Sequence, residues 1–83
     1  MSKIYKEPNK SEKETTINVL YGENKLSIYT NKVSLQRELN KILGESTKEY
    51  KINRSIVGSS WDVNLDEKQK ISKMVLKANI YEL

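Results

Sequence analysis

The residues best suited to chemistry are basic side chains at helical spacing. Lys70, Lys73 and Lys77 recur every three to four residues, and Arg37 and Lys41 are four residues apart. Residues three and four apart lie on one face of a helix, so each set presents its positive charges along one stripe. Stripes of this kind contact the phosphates of nucleic acid, although many are simply solvated helix faces. The five residues are our first candidate contacts to nucleic acid.

A second candidate set lies on the polar face of a predicted sheet. Tyr29, Lys25 and Lys51 occupy strand positions that we expect to share this face. An aromatic ring flanked by ammonium groups can stack on a base and hold the neighbouring phosphates. An exposed tyrosine on a strand also has a simpler explanation, because tyrosine favours strands on its own account.

The charge of the chain favours a polyanionic partner without specifying one. Thirteen lysines and two arginines face 11 acidic residues, which leaves a net charge of +4 and a pI near 9.3. A basic balance attracts nucleic acid, but AT-rich codons also encode lysine, isoleucine and asparagine, which are all abundant here. Arginine makes the commonest bidentate contact to guanine, so its scarcity favours non-specific phosphate contact over sequence reading.

Catalysis and metal binding have little support. The chain has no histidine and no cysteine, so it lacks the usual general base near neutral pH and the usual zinc ligands. Its three glycines are too widely spaced for a phosphate-binding loop. Asp62, Asp66 and Glu67 are the candidate acid pairs, but a helix start explains the last two. We therefore predict a non-enzymatic protein that uses no cofactor.

Two alternating segments near the N-terminus predict a β-hairpin. Apolar and polar residues alternate over residues 15–21 and again over 25–30, and a glycine-containing turn separates the two runs. Leu26 and Ile28 are expected to face the core. Leu20 is an apolar misfit on the other face, so it either packs beneath the N-terminal tail or is a candidate contact to a partner.

Apolar residues at helical spacing predict two helices. The first covers residues 34–43, with Asn31 or Ser34 as its N-terminal cap and Gly44 at its end. The second begins after Asp66, which has the spacing of a capping box with Gln69.

The only tryptophan identifies the strand around which the second half is organised. Trp61 shares its parity with the apolar residues of segment 56–65, so we expect its side chain in the core. A strand over 48–53 and a turn at 53–55 precede this segment. The alternative interpretation places the turn at Gly58-Ser59 and shortens both strands.

The order β-β-α, repeated twice, predicts the α+β class. Two hairpins form a four-stranded antiparallel sheet with two helices on one face, in a single domain over residues 15–83. Residues 1–14 are polar and of mixed charge, so we expect a flexible N-terminal tail. The alternative is an arm that Ile4 and Tyr5 anchor on a partner.

A protein partner is the alternative to nucleic acid. Leu20 and the apolar C-terminal residues Ile80, Tyr81 and Leu83 form the predicted partner interface. They suit a bacterial, phage or mobile-element inhibitor, adaptor or regulatory protein that occupies a partner surface, and they equally suit a homodimer formed through an open edge strand. The sequence has no long apolar segment and no signal peptide, so we expect no membrane association and a cytoplasmic location.

Overall fold

Two hairpins and two helices alternate along the chain. The computed structural model describes residues 3–82, with the side chains of residues 3–77. The elements are β1 (Thr15–Leu20), β2 (Lys25–Thr30), α1 (Val33–Leu43), β3 (Lys48–Ile52), β4 (Ser55–Asn64) and α2 (Lys68–Glu82). Short 3-10 helices span Lys10–Glu12 and Tyr21–Glu23. The order is β-β-α-β-β-α, which agrees with the order expected from the sequence.

The core lies between the two helices and one face of the sheet. The four strands form an antiparallel sheet in the order β1-β2-β4-β3, and Ile28 pairs with Trp61 across its two central strands. Leu35 and Leu39 of α1 and Met74 of α2 belong to the same buried cluster. The predicted α+β class, with both helices on one face, is confirmed.

Trp61 links the sheet to the end of the first helix. Its side chain is only 2% exposed, and its indole Nε1–H donates to the carbonyl oxygen of Gly44 at 3.0 Å. Gly44 has φ +85°, a backbone conformation that suits glycine at the end of a helix. The predicted inward side chain is confirmed, and the indole N–H, which would be costly to bury alone, has a partner.

Strand β4 runs unbroken through Gly58, so the alternative turn at Gly58-Ser59 is wrong. A Cβ atom at this position would lie 2.6 Å from the hydroxyl oxygen of Tyr29. The glycine thus makes room for the ring of Tyr29 on the face of the sheet away from the helices, which we call the sheet face. A register shift follows between Tyr50 and Lys51 of β3, where β4 carries an extra residue.

A residue that is distant in sequence accepts the hydrogen bond at the N-terminus of the first helix. Lys32 is the N-cap and makes no side-chain capping bond, so the predicted caps at Asn31 and Ser34 are wrong. The N–H of Val33 instead donates to the Glu7 carboxylate at 2.9 Å. Burial opposes ionisation of Glu7, but this hydrogen bond and the Lys13 ammonium lower the pKa of Glu7 below its ordinary value.

The side chains expected to cap the helices form tertiary contacts instead. The amide of Asn31 accepts from the N–H of Glu14 and donates to the carbonyl of Glu12, each at 2.8 Å. The second helix begins at Lys68, two residues beyond Asp66, whose carboxylate accepts a 3.3 Å bond from an asparagine in the β1–β2 turn. The predicted capping box is therefore wrong.

Residues 3–14, which we call the N-terminal arm, lie against the domain. Ile4 and Lys6 exchange backbone hydrogen bonds with Ile56 at 2.7 and 2.9 Å, beside β4 and beyond the end of β2. The hydroxyl of Tyr5 accepts from the amide of Asn40 on α1 at 2.8 Å. These contacts fix where the arm docks; the flexibility expected for residues 1–14 concerns motion and stays a prediction.

Candidate nucleic-acid interface

The two helices, which we call the helix layer, carry a charge equal to that of the whole chain. In sequence, α1 contains Arg37 and Lys41 against Glu38, a net charge of +1. The α2 sequence contains four lysines against one glutamate, a net charge of +3. Since the whole chain carries +4, the sheet, turns and termini together are neutral. The net positive charge is thus confined to one layer of the fold, because acidic and basic residues balance elsewhere.

Glu38 connects the two predicted basic stripes. Its carboxylate lies 3.6 Å from the Lys41 ammonium on the same helix and 3.8 Å from the Lys77 ammonium on α2. The two helices pack side by side, so these lysines line one shared surface. The structure therefore brings the α1 and α2 candidates together, as the sequence alone could not.

The candidates on α1 point away from the sheet. Leu35 and Leu39 are fully buried, and Arg37 and Lys41 each lie two positions further along the helix. Two positions correspond to roughly 160° around a helix with 3.6 residues per turn. The Arg37 guanidinium lies 5.5 Å from the ring centroid of Tyr5 in the N-terminal arm, in a cation–π arrangement that still leaves the residue exposed.

The α2 candidates differ in their local partners. Lys70 lies 3.6 Å from Glu67, and Lys77 lies 3.8 Å from Glu38. Lys73 makes no ion pair with any side chain that the structure describes. Exposed ion pairs of this kind contribute only about 0–1 kcal/mol each, so a phosphate can replace a carboxylate at little cost.

Tyr29 and Lys25 lie on the opposite side of the molecule from the helix layer. The Tyr29 ring meets Tyr50 edge-on at 5.5 Å, and the Lys48 ammonium lies 5.1 Å from the Tyr50 centroid. Burial raises the pKa of the Tyr29 hydroxyl, and Glu14 adds to the effect, so the ring stays neutral. The eight predicted nucleic-acid contacts therefore occupy two faces and cannot form one site.

Lys25 is already neutralised on the sheet face. Its ammonium lies 3.3 Å from Glu23 and 3.6 Å from Asp62. The hydrogen bond to Glu23, followed by the charge of Asp62, raises the pKa of Lys25. A phosphate approaching Lys25 would meet two carboxylates, so this lysine is a poorer contact than its charge suggests.

The prediction that Lys51 shares the face of Tyr29 is wrong. Tyr50 packs against Tyr29, and successive strand residues point to opposite faces, so Lys51 lies on the side of the helices. Its ammonium is 3.9 Å from Glu49. Alternation showed that Tyr50 and Ile52 share a face but not which one, and packing of Tyr50 over Gly58 and Tyr29 decided it. Tyr50 and Lys48 are thus sheet-face residues that we had not singled out.

The predicted partner interface is only partly within the described structure. Leu20 pairs with Lys25, which places it on the sheet face at one end of β1. Ile80 and Tyr81 belong to the helical backbone of α2, but their side chains lie outside the described residues, as does Leu83. Their role as a partner contact stays a prediction.

The N-terminal arm and the sheet face enclose an open cavity of about 920 Å³. Tyr29, Ile52 and Val57 form its floor, and arm residues of both charges form its wall. Mixed charge and a wide opening give it no clear preference for one class of small ligand.

Neither metal-binding geometry nor known relatives assign a chemistry to this fold. Within residues 3–82, no cluster of three metal-binding side chains is present, and no helix has the length and apolarity needed to cross a bilayer. Comparison with known proteins gave no match to a family model, a curated protein or a solved structure.

Proposed function

We propose that this protein is a non-enzymatic binding protein that contacts the phosphates of nucleic acid through the helix layer. The observation that carries this proposal is the confinement of the net charge to α1 and α2. A polyanion lying along the helices meets Lys70, Lys73 and Lys77 on one side and Arg37 and Lys41 on the other. The cytoplasm is the compartment that we propose for this activity.

The mechanism is electrostatic and largely independent of base sequence. Each ammonium group that neutralises a phosphate releases a condensed counterion, which is the main source of affinity in such contacts. One arginine among five candidates offers little bidentate readout of guanine. We therefore expect binding that weakens steeply as salt concentration rises.

The decisive experiment compares two triple charge reversals. One variant changes Lys70, Lys73 and Lys77 to Glu, and the control changes Lys6, Lys10 and Lys48 to Glu, so both lose the same net charge. Fluorescence anisotropy with labelled single-stranded and duplex oligonucleotides should show that the first variant loses at least about tenfold in affinity. The slope of log K against log salt should fall by roughly 2–3 if three contacts disappear. Equal losses in both variants would show that overall charge, not the helix layer, governs binding.

A protein partner on the sheet face is the second candidate. Tyr50 and Ile52 are exposed there beside Tyr29. Exposed aromatic and aliphatic side chains of this kind are typical of protein interfaces. In this case Leu20→Asp and Ile52→Asp, both on this face, should each abolish a complex without unfolding the chain. Co-purification of both variants at the wild-type level would rule out the interface that includes those residues.

A further inference from the structure

The outer edge of β1 is not used by the proposed function. The strand lies at one end of the sheet order β1-β2-β4-β3, so its second edge pairs with no strand among the described residues. Its sequence, Thr15–Leu20, contains no charged residue and no proline. Soluble proteins commonly protect an edge with charges, prolines or bulges, because unpaired backbone groups attract another strand. β1 has none of these protections.

The opposite edge of the same sheet is protected. Lys48, Glu49 and Lys51 make up three of the five residues of β3, and a register shift distorts its pairing with β4. Of the two sheet edges in the described structure, β1 is therefore the one suited to pairing.

Apolar side chains accompany the open edge. Ile17 and Val19, which face the helices, are 40% and 41% exposed. On α2, Val75 lies roughly 160° around the helix from Lys77, which points to α1. Val75 is 38% exposed and therefore lies on the side of α2 away from α1. The free edge of β1 thus combines unpaired backbone groups with exposed apolar side chains.

We propose that β1 pairs in antiparallel fashion with β1 of a second copy of this chain, giving a continuous eight-stranded sheet. Two copies that each carry +4 repel each other wherever their helix layers meet. The uncharged β1 strands bring no like charges into direct contact, and an identical strand supplies matching hydrogen-bonding groups. A charged partner strand, in contrast, would find no opposite charge on β1.

The alternation of side chains selects the register. A two-fold axis perpendicular to the sheet keeps the helices of both copies on one side, so opposed residues must have the same parity. Centring the axis on Asn18 pairs Ile17 with Val19 of the partner subunit, twice, and also pairs Thr16 with Leu20 of the partner subunit. This register covers the exposed apolar residues of β1, including the misfit Leu20. Centring it on Ile17 would instead place Leu20 opposite Glu14 of the partner subunit, a charged residue outside β1.

Molecular mass in solution tests the pairing. Sedimentation equilibrium without nucleic acid should give twice the 9.7 kDa chain mass, with dissociation on dilution into the micromolar range, because a single strand pair is a small interface. Val19→Lys should give the monomer mass. The control Ile52→Lys alters a 58% exposed residue on the other edge and should keep the dimer. Circular dichroism verifies that both variants are folded. A monomeric wild type, or a dimer in Val19→Lys, would overturn the proposal.

Cross-linking tests the register without a destabilising substitution. The chain has no cysteine, so a single introduced thiol has no competitor. Asn18→Cys places two thiols opposite each other at the proposed axis and should form a disulfide-linked dimer under mild oxidation. Thr16→Cys lies on the same face of β1 but opposite Leu20 of the partner subunit, and should cross-link at least tenfold more slowly. Equal rates would refute the register.

The dimer would also affect the proposed function. Both helix layers would lie on one side of the extended sheet, so a longer nucleic acid could contact two basic surfaces at once. Only this consequence rests on the proposed function. The mass and cross-linking measurements use protein alone, so their failure is distinguishable from a failure to bind nucleic acid.

Discussion

Replacing Glu38 with glutamine is expected to strengthen binding to nucleic acid, an unusual result for a surface substitution. The Glu38 carboxylate lies 3.6 Å from the Lys41 ammonium and 3.8 Å from the Lys77 ammonium. A phosphate that contacts either lysine at about 2.8 Å therefore sits at most roughly 6–7 Å from the carboxylate. Glu38 thus competes with the ligand for both lysines and repels it.

The size of the effect follows from Coulomb's law. At about 6.5 Å in water, each phosphate is repelled by about 0.6 kcal/mol, and 0.1 M salt reduces this by about half. Two phosphates then give about 0.7 kcal/mol, or roughly threefold in affinity, and a lower dielectric near the protein surface raises this to roughly tenfold. The loss of two exposed ion pairs should lower the free energy of unfolding by at most about 1–2 kcal/mol.

The assay is a fluorescence anisotropy titration of Glu38→Gln against one labelled oligonucleotide at fixed salt, repeated over several salt concentrations. Glu23→Gln is the matched control, because it removes the same charge from another ion-paired glutamate, beside Lys25 on the sheet face. Glu38→Gln should bind roughly three- to tenfold more tightly than wild type, and the control should change little. If Glu38→Gln binds no better than Glu23→Gln, the helix layer is not the phosphate-binding surface.

Two further outcomes are expected for the stability of the fold. Trp61→Phe should lower the free energy of unfolding in urea by about 1–3 kcal/mol, because it leaves a cavity and removes the indole bond to the carbonyl of Gly44; an unchanged midpoint would contradict this role. Glu7→Ala should lower the free energy of unfolding by about 1 kcal/mol at pH 7, as does the loss of other side chains that accept a hydrogen bond from a helix N-terminus. Because the pKa of Glu7 is lower in the folded chain, its contribution is complete above its ordinary value of about 4.3 and disappears as the pH falls through the folded value. Wild type and Glu7→Ala should therefore converge in thermal melts at low pH.

Periodicity predicted the elements of this fold well because it reflects local geometry. Alternation identified the strands, and spacings of three and four identified both helices to within a few residues. The single tryptophan on an apolar parity was enough to orient β4. In contrast, both helix caps were wrong, because Asn31 and Asp66 bond to distant segments and Glu7 takes over at α1. A capping preference states what a side chain can do locally, and a tertiary partner can replace it.

The candidate site was likewise predicted where it depends on local spacing and missed where it depends on tertiary packing. Spacing grouped Lys70, Lys73 and Lys77 on one helix and Arg37 with Lys41 on the other. Nothing in the sequence indicated that Glu38 would join the two groups, since an α1–α2 contact depends on how the helices pack. The placement of Lys51 on the sheet face was wrong because period-two alternation defines which residues share a face and leaves the choice of face open.

The sequence by itself determined the element order, the α+β class, the inward tryptophan and the presence of basic stripes, because each depends on spacing within one element. Only the tertiary structure decided that the net positive charge lies in one layer, that Tyr29 and Tyr50 lie on the other face, and that β1 is the unprotected edge. These properties depend on which elements become neighbours. The elements become neighbours because Trp61, Ile28 and Met74 are buried together in one core. The sequence of a single segment does not indicate which other segments pack against it.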